Sequence, residues 1–400
     1  MAWRAAKRRV VVTGLGVASC CGIGLDAFFD GLCSPAPPGE RRVYDFDPSL
    51  YFDPKEARRT DRFAQLSVAA ASMALDDAGD AVTDPDRSGV VFGTGVGGLE
   101  TLQQQITVLA ERGDRRVSPF LVPMIMGNAG AAAISMRFGL RGPCETIVTA
   151  CAAGTHSIGN AYRLIAYGRC DTMVTGGAEA AMEPVGNQLP VGIVAFRNMT
   201  ALSSSGMSRP FDVRRDGFVI AEGGAALVLE ELDHALSRGA RIYAEVLGAA
   251  STADAHHITA PAPEGVGARS CMELALEDAG IEPGDVTHIN GHGTSTPLND
   301  LAEAQAVEKV FGASAPPVTS IKGVTGHALA AAGAIEAVAV ALTIERGLIP
   351  PTAGLEQQDP EIHLDIVTGE PRPFTPGPIL SNSFGFGGHN GCLVLAPPRD

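Results

Sequence analysis

The sequence predicts an α/β protein in which helices cover the sheets on both sides. Short runs of β-branched and apolar residues recur along the 400-residue chain and alternate with amphipathic helical patterns, which is typical of this class. A hydrophobic content of 45% is enough for a large core, and 48 glycines predict close packing of the backbone. The length favours two domains, or one large domain built in two parts.

Strand and helix patterns follow one another in a similar order in both parts of the chain. The predicted strands are residues 10–13, 89–92, 146–148, 172–174, 225–229, 242–247, 288–290, 317–320, 379–382 and 392–395. The predicted helices between them are residues 63–77, 152–167, 267–279, 301–311 and 333–345. We therefore expect an N-terminal half, 1–240, and a C-terminal half, 241–400, with related architecture.

Two apolar segments imitate targeting or membrane sequences. The first residues, MAWRAAKRRVVVTGLGVASC, have the order of a signal peptide, but Gly14 and Gly16 interrupt the apolar run and an amphipathic pattern follows. A first core strand is the better interpretation. The alanine-rich stretch 328–344 has about the shortest length that spans a membrane and carries Glu336 midway, so it predicts a buried helix.

Charge and cysteine content exclude several classes of protein. The net charge of −15 argues against nucleic acid as the main partner. Eight cysteines, at positions 20, 21, 33, 144, 151, 170, 271 and 392, lie far apart without a CxxC pair, unlike those of a secreted disulfide scaffold. This pattern predicts a cytoplasmic location. We expect the neighbouring Cys20 and Cys21 to lie in the core.

The segment VTACAAGTHSIG (148–159) contains the candidate nucleophile, Cys151. A β-branched run ends at this residue, and small residues that can begin a helix follow it. Because the positive end of a helix dipole favours thiolate over thiol, we expect a lowered pKa for Cys151. The segments NGHGTSTPLND (290–300), SIKGVTGH (320–327) and SNSFGFGGHN (381–390) add His292, Lys322, His327 and a glycine-rich turn.

These residue types together indicate acyl transfer. A cysteine thiolate can attack an acyl thioester and hold the acyl group covalently. Amides of Cys151 and of the GFGG turn can bind the developing oxyanion. Two neutral imidazoles can polarise the carbonyl of a second substrate while carbon dioxide leaves, and Lys322 would add positive charge. Asp300 and Glu303 are explained as first-turn residues of the following helix.

With these four segments, the sequence resembles the β-ketoacyl-acyl-carrier-protein synthases of the KAS II type over essentially its whole length. The resemblance implies a thiolase-like αβαβα layered fold of two pseudo-repeated halves, and a homodimer. It implies decarboxylative Claisen condensation of an acyl thioester with malonyl-acyl carrier protein, extending a fatty-acyl or polyketide chain by two carbons. Cys151 would be the acyl acceptor, His292 and His327 the decarboxylation and condensation pair, and Lys322 their organiser.

The resemblance implies further roles outside the catalytic set. Phe386 matches the family's gate and oxyanion-hole residue, with Phe384 beside it, and Thr294 and Thr296 match the threonines that bind phosphopantetheine. In the segment KEARRTDRF, the residues Lys55, Arg58 and Arg59 match the docking site for acyl carrier protein, although a solvated helix face is the alternative. No cofactor is expected, except for a structural cation. The residues that bind this cation in the family match Asn290, Glu336, Ser381 and Asn390.

The segment 183–208 departs from the family pattern, with extra residues before the sequence VGIVAF and a shortened stretch before the sequence SRPFD. This difference keeps a second hypothesis open, the catalytic ketosynthase subunit of a type II polyketide synthase paired with a chain-length factor. A non-catalytic partner subunit is disfavoured by Cys151, and a biosynthetic thiolase by the two histidines. The sequence leaves the acyl chain length, the pathway and the choice between homodimer and heterodimer open.

Overall fold

A computed structural model describes residues 7–180 and 182–399 and confirms the α/β class. The strands are β1 (Val10–Ser19), β2 (Gly22–Ile23), β3 (Ser88–Gly93), β4 (Cys144–Ile147), β5 (Thr172–Glu179), β6 (Gly223–Glu231), β7 (Ala244–Ala253), β8 (His288–Asn290), β9 (Val318–Thr319), β10 (Leu348–Ile349), β11 (Arg372–Pro373), β12 (Ile379–Gly385) and β13 (His389–Ala396). The helices are α1 (Leu25–Leu32), α2 (Pro54–Ala57), α3 (Arg62–Ala78), α4 (Leu99–Arg112), α5 (Leu121–Ile125), α6 (Ala129–Phe138), α7 (Ala153–Ala166), α8 (Val191–Asn198), α9 (Leu232–Ser237), α10 (Val266–Ala279), α11 (Pro297–Phe311), α12 (Lys322–Thr325) and α13 (Ala332–Arg346).

The main sheet repeats one strand order in its two halves. Its order is β4-β3-β5-β6-β1-β7-β13-β12-β8-β9, with β2 added to β1. In the first half, β4, β3 and β5 are parallel, and β6 and β1 follow antiparallel. In the second half, β9, β8 and β12 are parallel, and β13 and β7 follow antiparallel. A short antiparallel pairing of β1 with β7 joins the halves.

Helices form three layers around the strands. Helix α3 packs on β1, β5 and β6, and α10 packs on β7 and β13. Helices α7 and α13 contact each other and strands of both halves, so they lie in the middle. The resulting order is the αβαβα arrangement that the resemblance implies.

Glycines in β1 allow an unusually close approach of α3. A Cβ atom on Gly14 would lie 2.2 Å from the carbonyl oxygen of Ala74, and one on Gly16 would lie 2.1 Å from that of Ala70. Any side chain here would push the helix away from the strand. The apolar N-terminal run is therefore a central strand, as predicted.

The alanine-rich stretch forms the buried helix α13. Residues 332–343 of this helix are buried, including Glu336 at 1% exposure. Among the residues that the structure describes, no helix is long and apolar enough to cross a membrane. The stretch is therefore a helix of the protein core.

Several helices were not predicted, among them the short helices α2, α5, α9 and α12. Helices α4 and α6 were also not predicted, and neither was α8, which lies inside the altered segment 183–208. In α4 the buried residues are Glu100 and Thr101, so the helix has no apolar stripe facing the core. In α6 the sequence AGAAAISMRF gives little contrast between its two faces.

Candidate active site

Cys151 lies at a sharp turn between β4 and α7. Ala150, directly before it, has a φ of +50°, a left-handed conformation that is uncommon for residues other than glycine. A 3₁₀ turn over Ala150–Ala152 then leads into α7. Gly385 completes this turn, because a Cβ atom there would lie only 3.0 Å from the amide nitrogen of Cys151.

The thiol faces a cavity of about 510 Å³, and most of the predicted site residues line this cavity. The predicted residues lining it are Cys151, His292, Thr294, Thr296, His327, Phe384 and Phe386. Phe196 and Met199 also line it, and they come from α8 and the residue after it, within the altered segment 183–208. Four stretches that are distant in the sequence therefore meet at one site, and the altered segment forms part of its wall.

Burial controls the protonation of Cys151. It raises the pKa of the thiol to about 11, and the positive charge of Lys322 and the amide of Phe386 oppose this effect only in part. The predicted lowering of the pKa of Cys151 by the helix dipole was therefore wrong, because desolvation exceeds the effect of the nearby amides. The thiol therefore keeps its proton at neutral pH.

The two histidines stand edge to face across the cavity. Their ring centroids are 5.3 Å apart, with an angle of 84° between the planes. Burial, and then the charge of Lys322, lower the pKa of both imidazoles well below the usual range. Both rings are therefore neutral near pH 7, and each carries one N–H and one free lone pair.

Lys322 lies behind His292 rather than on the cavity wall. Its Nζ atom donates a hydrogen bond of 2.6 Å to the backbone oxygen of His292 and lies 3.3 Å from His292 Nδ1. It also forms an ion pair with Glu336, and both side chains are 1% exposed. Burial raises the pKa of Glu336 to about 7, and the charge of Lys322 opposes that rise. A single buried cation thus fixes the loop that carries His292.

Glu303 and Asp300 hold the same loop from the other side. Glu303 accepts hydrogen bonds of 2.7 Å from the amides of His292 and Gly293, and Asp300 accepts one of 3.1 Å from Ser295. Both carboxylates are buried. Their explanation as simple first-turn residues was therefore incomplete, because they bind the amides of the catalytic loop. The sequence signal is two acidic residues in the helix that follows a glycine-rich turn.

The glycine-rich turn places Phe386 at the nucleophile. The backbone N–H of Phe386 faces the thiol of Cys151 and lowers its pKa, against the larger effect of burial. The ring of Phe386 lies 6.4 Å from that of Phe196, whereas Phe384 packs edge to face on His292 at 5.8 Å. The turn thus brings the amide of Phe386 to the nucleophile and gives Phe384 a packing contact with His292.

The two predicted phosphopantetheine threonines lie together at the cavity. Their hydroxyl oxygens are 2.9 Å apart, and Thr296 also caps α11 by accepting a hydrogen bond from the amide of Asn299. Thr294 is buried and Thr296 is half-buried, and both side chains line the cavity.

The predicted docking residues lie at the surface on and after α2. Lys55, Arg58 and Arg59 are exposed, and the guanidinium group of Arg59 stacks over the ring of Phe120 at 4.0 Å. Within residues 7–180 and 182–399, none of the three forms an ion pair. Their charges are therefore available to a partner.

Two of the four residues that match the family's cation ligands, Asn290 and Ser381, are in direct contact, and the side chains of Glu336 and Asn390 have other partners. Asn290 donates a hydrogen bond of 3.2 Å to Ser381, and Glu336 is paired with Lys322. Asn390 pairs in the sheet with Phe384, three residues along β12 from Ser381, and its side chain binds Asp254. In the described part of the chain, no group of three or more His, Cys, Asp or Glu side chains could hold a metal ion.

Comparison with known proteins agrees with this geometry. Residues 39–235 match the model of the β-ketoacyl synthase N-terminal domain, and residues 243–356 match that of the C-terminal domain. This chain is a β-ketoacyl synthase. The β-ketoacyl synthases are condensing acyltransferases, so the chain is an enzyme of that class. The boundary between the two matched regions lies close to the junction of the two halves of the sheet.

Individual relatives of this β-ketoacyl synthase cover nearly its whole length. It is 44% identical to a 3-oxoacyl-[acyl-carrier-protein] synthase 2 of Synechocystis, over 97% of this chain and 98% of that protein. A solved complex, AntDE:AntF, of a type II polyketide acyl-carrier protein with its ketosynthase, matches with a TM-score of 0.88 and 32% identity, over 98% of this chain and 100% of that chain. The ishigamide ketosynthase/chain length factor matches with the same TM-score and coverage and 34% identity.

Proposed function

We propose that this enzyme joins an acyl group on Cys151 to malonyl-acyl carrier protein by decarboxylative Claisen condensation. The observation that carries the proposal is the cavity in which one thiol, two neutral imidazoles and two backbone amides converge, with one buried cation behind them. The 44% identity to a 3-oxoacyl-[acyl-carrier-protein] synthase 2 supports the same reaction.

In the first half-reaction the acyl group moves to the enzyme. The sulfur of Cys151 attacks the carbonyl carbon of an acyl thioester, and the negative oxygen that forms accepts hydrogen bonds from the amides of Cys151 and Phe386. The carbon–sulfur bond of the donor breaks, and the departing carrier thiolate takes the proton that leaves Cys151. The products are S-acylated Cys151 and a free carrier thiol.

In the second half-reaction malonyl thioester loses carbon dioxide. Its thioester oxygen becomes an enolate oxygen, which the neutral N–H groups of His292 and His327 stabilise. The enolate carbon attacks the acyl carbonyl on Cys151, and the tetrahedral intermediate collapses with expulsion of the Cys151 thiolate, which then takes a proton. The products are a β-ketoacyl thioester, carbon dioxide and the free enzyme.

Thr294 and Thr296 are the proposed contacts of the phosphopantetheine arm. Their hydroxyl groups line the cavity beside His292, on the loop that Glu303 and Asp300 hold in place. An arm that enters there brings its thioester to the two imidazoles.

Acyl carrier protein is the proposed macromolecular partner, bound at Lys55, Arg58 and Arg59. We expect the double variant Arg58→Glu/Arg59→Glu to weaken carrier binding by about tenfold at low salt, because carrier proteins are acidic. The difference between variant and wild type should shrink as salt rises, since screening removes interactions between exposed charges. Binding measured by fluorescence anisotropy across a salt series checks this expectation.

A matched charge reversal on another helix provides the control. Arg269 on α10 is 47% exposed at its side chain, like the docking arginines at the surface, and Arg269→Glu should leave carrier affinity unchanged. Equal weakening by both reversals would show a general charge effect, and unchanged affinity of the double variant would exclude this docking site.

The free edge of the sheet supports a dimer of this chain. Strand β4 ends the sheet, and its Cys144 and Glu145 are exposed. Helix α6 packs on β4, and α5 packs on α6. Large apolar side chains on these elements are exposed, among them Met136 at 78%, Val122 at 61% and Val148 at 57%. An open strand edge with such neighbours is typical of an interface.

A second candidate function is the catalytic ketosynthase subunit of a polyketide system, paired with a chain-length factor. Two solved neighbours are ketosynthases of this kind, and the altered segment 183–208 lines the cavity where an acyl chain would lie. The higher identity to a 3-oxoacyl-[acyl-carrier-protein] synthase 2 favours the first candidate function. The eight cysteines are free thiols, which supports the cytoplasm as the location.

One experiment tests the function and separates the two candidates. Purified enzyme is incubated with a panel of acyl-acyl carrier proteins, the acyl adduct is located by peptide mass spectrometry, and malonyl-acyl carrier protein is then added. We expect acylation of Cys151, release of a β-ketoacyl product and a native mass of two chains. An adduct on another residue would contradict the proposed chemistry, and an inactive monomer that needs a second protein would favour the ketosynthase subunit.

A further inference from the structure

Cys20 and Cys21 occupy the tight turn between β1 and β2. Their sulfur atoms are 3.9 Å apart, and both residues are partly exposed. The expectation that both lie in the core holds only in part. Cys21 packs against the main hydrophobic core, but both residues are only partly buried, because the strand ends at Ser19 and the turn follows it. Neither thiol belongs to the catalytic cavity.

The turn formed by Cys20 and Cys21 contacts the back of the active site. The sulfur of Cys20 lies 3.5 Å from the backbone oxygen of Thr325 and 3.8 Å from that of Val324. Both carbonyl groups belong to α12, which begins with Lys322 and ends two residues before His327. The thiol of Cys20 is therefore a direct neighbour of the segment that carries two of the catalytic residues.

Arg41 joins the thiols to the same segment. Its Nε atom donates a hydrogen bond of 3.1 Å to the backbone oxygen of Val324, and its side chain packs on Gly326, where a Cβ atom would lie 2.7 Å from Arg41 Cγ. Arg41 is 2% exposed, so its guanidinium group is a fixed positive charge next to the two sulfur atoms.

The two thiols differ in their acidity. The hydrogen bond from Cys21, and then the charge of Arg41, lower the pKa of Cys20, whereas the same hydrogen bond and burial raise the pKa of Cys21 well above its usual value. A thiolate is the reactive form of cysteine. Cys20 also contacts the same Val324 carbonyl as the Arg41 guanidinium group, so we assign Cys20 as the nucleophile of the pair and Cys21 as the thiol placed to resolve an oxidised Cys20.

We propose that Cys20 and Cys21 form a redox-active dithiol that reversibly alters the segment 322–327 of the active site. The oxidant is hydrogen peroxide. The Cys20 sulfur attacks one peroxide oxygen, the O–O bond breaks, and hydroxide leaves and is protonated to water, which yields a sulfenic acid. The Cys21 sulfur then attacks the Cys20 sulfur, the S–OH bond breaks, and a second water leaves with the Cys21 proton. Two electrons pass from the thiols to the peroxide.

Formation of the disulfide changes the contact of Cys20 with α12. The sulfur atoms have to approach from 3.9 Å to the bonded distance of about 2 Å, and Cys20 loses the S–H that it donates to the carbonyl groups of Val324 and Thr325. Neighbouring Cα atoms lie about 3.8 Å apart, closer than in usual disulfides, and strained disulfides are readily reduced. A thiol reductant should therefore restore the original contact.

Mass spectrometry of the full chain tests the chemistry. A Cys151→Gln background removes the catalytic thiol, which peroxide could also oxidise. We expect hydrogen peroxide to remove about 2 Da from the peptide that contains both cysteines, and dithiothreitol to restore the mass. Cys21→Ser should instead accumulate a dimedone-reactive sulfenic acid on Cys20, and Cys20→Ser should show neither product. Absence of the disulfide in the peroxide-treated protein would overturn the proposal.

Hydrogen–deuterium exchange tests the coupling to the active site without any need for activity. After oxidation, amides in residues 322–327 of the Cys151→Gln protein should exchange faster than before. In the Cys20→Ser/Cys151→Gln protein, the same treatment should leave their exchange rate unchanged. Cys33→Ser, at a partly exposed thiol after α1, is the matched control and should behave like its parent. If Cys20→Ser does not fold, Cys21→Ala serves instead. A disulfide that leaves this exchange unchanged would overturn the coupling.

Decarboxylation gives a second readout, which rests on the proposed function. The rate of malonyl decarboxylation by the Cys151→Gln protein should fall by roughly threefold or more after oxidation and recover on reduction. If this protein never decarboxylates malonyl-acyl carrier protein, the proposed function fails, while the mass and exchange measurements still decide the fate of the dithiol. A rate unaffected by the disulfide in a decarboxylating protein would refute control of the site.

Discussion

Replacing Cys151 with alanine is expected to lower the condensation rate by roughly 10³-fold or more, because the acyl group then has no covalent acceptor. The amides that face the sulfur and the two imidazoles remain in place in this variant. Loss of activity should therefore reflect the missing sulfur rather than a collapsed site. Steady-state formation of the β-ketoacyl product, followed by mass spectrometry, measures the effect.

A Cys151→Gln variant separates the two half-reactions. Its neutral side-chain carbonyl resembles that of an acyl thioester, and decarboxylation depends on His292 and His327 rather than on the thiol. We therefore expect carbon dioxide release from malonyl-acyl carrier protein to continue while condensation is lost. Retained condensation by Cys151→Ala would refute the role of Cys151.

A second cysteine gives the matched control for this pair of variants. Cys271 is a fully buried free thiol on α10, outside the cavity. The substitution Cys271→Ala makes the same chemical change as Cys151→Ala, loss of one buried sulfur atom, at a different place in the fold. Its condensation rate should stay within about twofold of that of the wild type, apart from a loss of stability. A large effect there would indicate general sensitivity to loss of a buried thiol.

Local sequence patterns were enough to find ten strands of the main sheet, but not the two-residue strands β2, β10 and β11 or every helix. Strand β8 was predicted at its observed residues, because a short apolar segment followed by a glycine turn has one simple interpretation. Helix α4 was missed because its burial involves Glu100, which accepts hydrogen bonds from the amides of Met182 and Glu183. That role becomes visible only when a distant segment folds against the helix.

The site residues were predictable, whereas their electrostatics were not. Cys151, His292 and His327 stand in distinctive glycine-rich motifs, and the structure brings all three to one cavity. The pKa of Cys151 depends on how deeply the walls bury it, and those walls come from segments far along the chain, such as α8 and the turn at His327. A helix dipole acts locally, so a sequence argument overweights its effect on the thiol.

The acidic residues near His292 show the same limit. In the helix predicted at residues 301–311, Asp300 and Glu303 stand at positions where a carboxylate commonly stabilises the start of a helix, whereas the observed helix begins at Pro297 and has only Asp300 in its first turn. Their side chains instead bind the amides of residues 292, 293 and 295, because the loop folds back over α11. The direction of a side chain at such a helix start is a tertiary property, and the sequence does not specify it.

Removing the buried cation should damage stability and catalysis together. We expect Lys322→Met to lower the free energy of unfolding by about 3–5 kcal/mol at pH 8, because it leaves the Glu336 carboxylate buried and uncompensated. Burial already raises the pKa of Glu336 to about 7 against the opposing charge of Lys322, and removal of that charge raises it further. Chemical denaturation followed by circular dichroism measures the loss.

The pH dependence of this variant has a definite sign. A carboxyl group with a raised pKa in the folded state binds more protons there than in the unfolded chain. Because Glu336 is such a group, the Lys322→Met protein is most stable at low pH and loses stability as pH rises. The deficit of Lys322→Met should therefore be small near about pH 5 and grow toward about pH 8. A deficit that is independent of pH would show that Glu336 is not the group left uncompensated.

The double variant Lys322→Met/Glu336→Leu distinguishes the role of the cation in catalysis from its role in folding. Replacing both charges with apolar side chains of similar size should bring stability back to within about 1.5 kcal/mol of the wild type. Decarboxylation should nevertheless stay about 10²-fold below the wild-type rate, because nothing then holds the backbone of His292 or adds positive charge behind the imidazoles. If the stable double variant regained the wild-type rate, Lys322 would serve only to neutralise Glu336, and the enolate would be stabilised without it.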